Sequence, residues 1–187
     1  PPSNKNINLA KATSRLDYPN QDVFNNYNHR ALNTLKHNYA VIISGGGSCH
    51  YNYERYWYNC AALYTILVNK FGYDKDKVYV IMSDGTSPGN DRHLIANPTR
   101  MQEIYDSSPL DLDGDGIDDI QYAATKTSIS NVFDTLSSII SAEDDVFIFT
   151  TDHGDTINNQ YVLNLWNNET LTSLDFASEV HKINKSI

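Results

Sequence analysis

The sequence predicts an α/β domain with a mostly parallel sheet flanked by helices on both faces. Three observations carry that reading. Short, nearly continuous apolar runs recur at Tyr39–Ser44 (YAVIIS), Lys77–Gly85 (KVYVIMSDG) and Asp145–Thr150 (DVFIFT), each passing straight into small or polar turn residues. Stretches with apolar residues at the helical period separate them. Strands alternating with helices then favour parallel pairing through crossover connections.

Residues 1–38 are rich in Asn with scattered Tyr and no sustained period, so they read as an irregular leader or linker with one short helix at HRALNTLK. The organised domain spans 39–187. YAVIIS is the first strand, and Gly45, Gly46 and Gly47 form the tight loop that ends it. Trp57, Cys60, Ala61, Tyr64, Leu67, Val68 and Phe71 make one apolar stripe on the following helix, which Gly72 closes as a left-handed cap. KVYVIMSDG repeats the strand and turn. The region from Thr86 to Tyr122 is long, polar and punctuated by Pro and Gly, so it is expected to be an excursion from the core. Ile129, Val132, Phe133, Leu136, Ile139 and Ile140 return to helical spacing behind an N-cap at Thr127 or Ser128, and the helix leads into DVFIFT. TSLD, from Thr172 to Asp175, reads as a capping box for a third helix whose apolar side carries Leu174, Ala177 and Val180. There is no internal repeat and no low-complexity tract.

The chain has 187 residues, 40% hydrophobic and 20% charged, enough for one full-sized core. With 23 acidic against 14 basic residues the formal charge is −9, which repels phosphate backbones and anionic membrane surfaces, so nucleic acid is not an expected partner. No apolar run approaches the roughly twenty residues of a membrane span, and the opening PPSNKNINLAK lacks the apolar core of a secretory signal. A signal already removed leaves no trace. Cys49 and Cys60 are too few for a disulfide framework, and each reads as a small buried apolar residue rather than a ligand or bridge member.

In open parallel sheets, ligands bind beyond the carboxyl ends of the strands. That rule brings SGGGSCH, SDGTS and TTDHGD to one rim. His153 then sits where chemistry concentrates, and Gly154 behind it lets the backbone approach a substrate and offer an N–H to a developing oxyanion. SGGGS also invites a phosphate-loop reading, but it lacks the P-loop lysine and the spacing of a dinucleotide fold. No organic cofactor is expected. The many tyrosines read as packing and surface residues.

DLDGDGIDD is the second strong local signal. Asp111, Asp113 and Asp115 alternate before Gly116, and Ile117 (through its carbonyl) and Asp119 complete the first half of an EF-hand-type calcium loop. Tyr122 stands where that loop carries its bidentate glutamate. A structural calcium ion pinning the 86–122 insertion is the expectation. Because such loops are commonest in exported proteins, a secreted or cell-surface location follows.

VFIFTTDHGD resembles the histidine motif of the legumain-like cysteine peptidases, the asparaginyl endopeptidases of the caspase-like group. YAVIISGGGSCHYNYERYWYNCAALYTIL is similar to that family's first strand, glycine turn, Tyr-Asn-Tyr segment and helix. FGYDKDKVYVIMSDG and SISNVFDTLSSI resemble later segments in the same order. The resemblance implies the front part of a caspase-like domain that hydrolyses peptide bonds, with His153 as acid/base, Gly154 as oxyanion donor, and Ser48 where legumains place the asparagine that orients the histidine. It implies a nucleophilic cysteine beyond Ile187, on the rest of the same polypeptide or a second processed chain, since neither Cys49 nor Cys60 is a convincing substitute. The peptide or protein substrate would meet Glu54, Arg55 and Asp152. Glu54 occupies the place of the legumain arginine, which favours a basic side chain before the scissile bond, whereas a one-residue shift to Arg55 would restore the arginine. The competing class is a non-catalytic, calcium-stabilised binding or adhesion module on the same fold.

Overall fold

The computed structural model describes residues 37–94 and 103–184. The helix expected at HRALNTLK, with nearly all of the leader, lies outside the described residues. Strand β1 (Asn38–Ser44) is followed by helix α1 (Glu54–Phe71) and strand β2 (Val78–Met82). Short strands β3 (Arg92–Leu94) and β4 (Ile104–Asp106) come next, then helix α2 (Lys126–Ile139) and strand β5 (Asp145–Thr151). Strands β6 (Gly154–Ile157), β7 (Gln160–Asn164) and β8 (Thr170–Thr172) and helix α3 (Ser173–Asn184) complete the order.

The central sheet runs β2-β1-β5 and is parallel throughout. Strand β1 is its buried middle, so its residues sort by parity onto two faces. Tyr39, Val41 and Ile43 pack with Ile129, Val132, Phe133 and Leu136 of α2 and with Ile183 of α3. Ala40 and Ile42 pack on the opposite face with Cys60, Ala61, Tyr64 and Leu67 of α1. Helices therefore cover both faces, as the sequence predicts. Each fully buried Val, Ile, Leu or Phe contributes roughly 1.5–3 kcal/mol relative to exposure.

Gly72 closes α1 as expected, with φ 71° and its N–H bonded to the Leu67 carbonyl. The apolar stripe stops short of it, leaving Phe71 67% exposed, while Tyr56 is buried at the start. The cap of α2 is Thr125, whose side chain accepts the Ser128 N–H, and Thr127 and Ser128 lie inside the first turn. The start is set earlier because buried Ala124 donates its N–H to Ser83 and anchors the chain. Thr172 does cap α3, accepting the Asp175 N–H at 3.0 Å. Its inward face is Phe176, Val180 and Ile183, whereas Leu174 is 63% exposed.

The 86–122 region is not wholly an excursion. Leu112 and Ile120 are buried in the α1-side core, and Tyr122 bonds β2 through its carbonyl to Met82 N–H and its own N–H to Val80. Strands β3 and β4 pair antiparallel within it. A third, antiparallel sheet, β6-β7-β8, is absent from the sequence reading. Its hairpin turns on Asn158 and Asn159, both left-handed at φ 51° and 61°, which suits a two-residue turn. No helix among the described residues is long and apolar enough to cross a membrane.

Candidate active site

The site grows from the register of the parallel sheet. Ser44, the last residue of β1, pairs with Met82 of β2 and Thr151 of β5, so the glycine turn, the Ser83 turn and the histidine segment leave the sheet at one rim. Ser83 N–H bonds the Ser44 carbonyl across it. The chain turns through Gly46 and Gly47, both at positive φ, and Ser48 closes the turn by accepting the N–H groups of Tyr51 and Asn52 at 3.0 Å. Buried Asn52 ties this turn to its neighbours. Its side-chain amide donates to Ser83 Oγ at 2.6 Å and to the Asp91 carbonyl at 2.7 Å, and its backbone carbonyl accepts from His93 N–H.

Asp152 breaks β5 at φ 129°, a conformation costly for a residue with a Cβ. The break is held from two sides: its carboxylate accepts His153 N–H at 2.6 Å and Ser44 Oγ at 3.3 Å. Burial pushes the Asp152 carboxyl above the usual range, against the opposing hydrogen bonds and the charge of His153. Asp152 thus shapes the turn from beneath.

His153 is half-buried, and its Nε2 lies 3.1 Å from the Tyr51 carbonyl. A carbonyl only accepts, so Nε2 carries a proton directed at it. The rings of Tyr51, Tyr53 and Tyr56 surround the imidazole at 6.1, 5.7 and 5.5 Å between centroids. Ser48, expected to orient the histidine, contributes its backbone carbonyl to the turn, and the contact at His153 Nε2 comes from the Tyr51 carbonyl. Gly154 starts β6 opposite Leu163. Because Asn164 N–H bonds the His153 carbonyl and ladder pairs alternate, Gly154 falls at a non-hydrogen-bonded pair and its N–H points away from β7.

Arg55 joins the same cluster. Its guanidinium lies 4.6 and 4.7 Å from the ring centres of Tyr53 and Tyr56, and it donates to the Tyr56 hydroxyl at 2.8 Å. Glu54 is half-buried in the first turn of α1, where the helix N-terminus favours an acid. The tyrosines, expected from sequence to be packing and surface residues, form this ring cluster, and only their dense spacing around YNYERY signals it. A second ring cluster of His50, His93 and Tyr105 adjoins it, with His93 stacked on Tyr53.

Cys60 is fully buried, and burial pushes its thiol up to about 12, with the Asp152 charge adding to the rise and a bond with Ser44 opposing it. Cys49 is half-buried in the glycine turn, and both are free thiols.

On the neighbouring Ser83 turn, burial and the Asp91 charge raise the Asp84 carboxyl to about 6. The folded state therefore holds this proton more tightly than the unfolded chain. Stability contributed by the protonated form is complete below the ordinary value of 3.8 and is lost as pH rises to about 6. Asp84→Asn should flatten that part of the urea-midpoint profile between pH 4 and 6, and an unchanged slope would assign it to another group.

In the insertion, one carboxylate oxygen from each of Asp111, Asp113 and Asp115 falls within a 4.8 Å group. Asp119 lies beneath, accepting from the Tyr64 hydroxyl at 2.5 Å and from Leu112 N–H at 2.8 Å. Ile117 is exposed and donates its N–H to Asp115.

Comparison with known families places residues 38–186 in a match to the sequence model described as the Peptidase C13 family. No curated protein matches the chain.

Proposed function

Because the chain belongs to the Peptidase C13 family, whose members are legumain-type cysteine peptidases, we propose that it supplies the histidine half of an endopeptidase active site at the rim beyond β1 and β5. The observation that carries this reading is the imidazole of His153 at the strand rim, held through Nε2 on the Tyr51 carbonyl and followed directly by Gly154, whose N–H points away from β7. In this scheme a cysteine thiol gives its proton to Nδ1, and the thiolate attacks the peptide carbonyl carbon. Gly154 N–H holds the oxyanion, and His153 then protonates the departing amine. Water, deprotonated by the same imidazole, releases the acyl group.

The cysteine is assigned to a segment after Ile187, on the same polypeptide or a processed second chain. Two features support a further strand beside β5. Among the described residues β5 is an edge of the central sheet, with Phe147 39% exposed. A pocket of about 180 Å³, lined by Thr150, Val162, Leu163, Leu171 and Phe176, opens between that strand, the hairpin and α3. Residues 1–187 alone should not hydrolyse peptides.

For specificity, the contacts of Arg55 with Tyr53 and Tyr56 favour it over Glu54 as the residue that meets the side chain before the scissile bond, selecting Asn or Asp. Library profiling of the complete polypeptide tests this. Cleavage after Asn or Asp, reduced about 100-fold in kcat/KM by Arg55→Ala, is expected. Cleavage after Lys or Arg would return the pocket to Glu54, and no cleavage of any peptide would favour the non-catalytic module.

A further inference from the structure

The acidic loop of the insertion already draws a cation. The ammonium of Lys75, from the short 3-10 turn Lys75–Lys77 before β2, lies 2.7 Å from Asp113 and 2.7 Å from Asp115, with Asp119 at 3.8 Å. Asp111 faces the same group, its oxygens accepting N–H bonds from Gly114 at 2.7 Å and Gly116 at 2.8 Å. Three carboxylates therefore meet one ammonium, with that of Asp111 grouped beside those of Asp113 and Asp115. The compensation is incomplete at a specific atom. The Asp113 side chain is only 5% exposed, one of its oxygens meets Lys75, and the other, Oδ1, is buried with no hydrogen-bond partner among the described residues. An unpartnered carboxylate oxygen out of water is costly, and a monodentate ammonium placed on the opposite oxygen does not relieve it.

A divalent cation would satisfy that oxygen. The donors are all hard: carboxylates at the first, third and fifth loop positions, with the Ile117 carbonyl at the seventh, a set suited to calcium's larger and more flexible shell. Lys75 Nζ sits within contact distance of two of these carboxylates, so ion and ammonium compete for them. We propose that the Asp111–Asp119 loop is a calcium site in which Lys75 is a built-in competing cation, its ammonium neutralising the loop before calcium binds and displaced when it does.

The competition sets the affinity range and the structural consequence. An internal ammonium weakens calcium binding toward the 10⁻⁴ to 10⁻³ M range of extracellular modules, about where an exported protein finds the ion. Tyr64 bonds Asp119, joining the loop to α1, while Leu112 and Ile120 anchor it in the core. The chain leaving the loop pairs with β2 at Tyr122 and abuts Gly85, where a Cβ would lie 2.4 Å from Ala123 N. Cation binding would therefore stiffen the segment that leads to the Ser83 turn at the active rim. The proposal does not depend on peptidase activity.

Calcium titrations of the full chain, followed by calorimetric binding and by thermal melting against a chelator, test it with magnesium as a second arm. The wild-type chain should bind one calcium ion with a saturable rise in melting temperature, and magnesium should give little. Lys75→Met should melt lower in chelator, recover in calcium, and bind calcium about tenfold more tightly. Asp113→Ala with Asp115→Ala should abolish both binding and the melting shift. No saturable binding by the wild-type chain up to about 10 mM calcium, a calcium affinity unchanged or weakened in Lys75→Met, or a shift that survives the double alanine variant would each overturn the proposal.

Discussion

Replacing His153 with alanine should lower kcat/KM of the complete peptidase by about 10³-fold or more while leaving its melting temperature within a few degrees. The asymmetry follows from what the imidazole touches. One bond to a backbone carbonyl and three edge or tilted ring contacts hold a half-buried side chain. Losing them costs roughly 1 kcal/mol, with the exposed carbonyl able to turn to water. General acid–base transfer, by contrast, contributes about 10²–10⁴-fold, and groups that act as a unit with a nucleophile lose nearly all catalysis together. The peptide KM should change little, because Arg55 and the aromatic ring cluster remain. Steady-state kinetics beside a melting curve separates this from misfolding, for which both quantities would fall.

The largest stability effect is expected at Gly45. A Cβ built there would lie 1.8 Å from the Asn164 carbonyl oxygen and 2.9 Å from the Leu165 Cα, all backbone atoms that no rotamer change can move. Relief requires the end of β7 to back away from the β1 turn, dragging fully buried Leu165 out of the α2-side core. Gly45→Ala should therefore cost about 3–5 kcal/mol and lower the melting temperature by roughly 10 °C or more. Gly72→Ala is the contrasting substitution: its φ is 71° but nothing lies within 4 Å of the added carbon, so only left-handed strain of about 1 kcal/mol is expected. Equal losses at the two positions would show that backbone strain, rather than the β1–β7 contact, dominates at Gly45. Because Asn164 also bonds the His153 carbonyl, the same change should displace the His153 turn.

These two positions also show which parts of the molecule its sequence discloses. The parallel core was legible because strands buried on both faces are apolar throughout and the intervening stripes keep the helical period. The β6–β8 sheet escaped because its strands are short and mixed in polarity, and because its turns rest on Asn158, Asn159, Asn167 and Asn168 in left-handed conformations that composition alone does not signal. Leu112 and Ile120 were hidden by the charged loop between them. At the candidate site, His153 and Gly154 stood out in the sequence as the exit of an apolar strand, although β5 is an only partly buried edge of the central sheet among the described residues. The Tyr51 contact to His153 did not, since a main-chain carbonyl has no residue type by which to be found. Glu54 and Arg55 differ by a single residue of register at a helix start, a difference composition does not resolve, and in the fold it is Arg55 that lies over Tyr53 and Tyr56.

The most direct test of the account is covalent labelling of the complete polypeptide with an electrophilic peptide ending in Asn, followed by mass-spectrometric mapping of the modified residue. One adduct on a cysteine encoded after Ile187, formed rapidly in the wild type and at least about 100-fold more slowly in His153→Ala, is the predicted result. An adduct on Cys49, or labelling indifferent to His153, would contradict it.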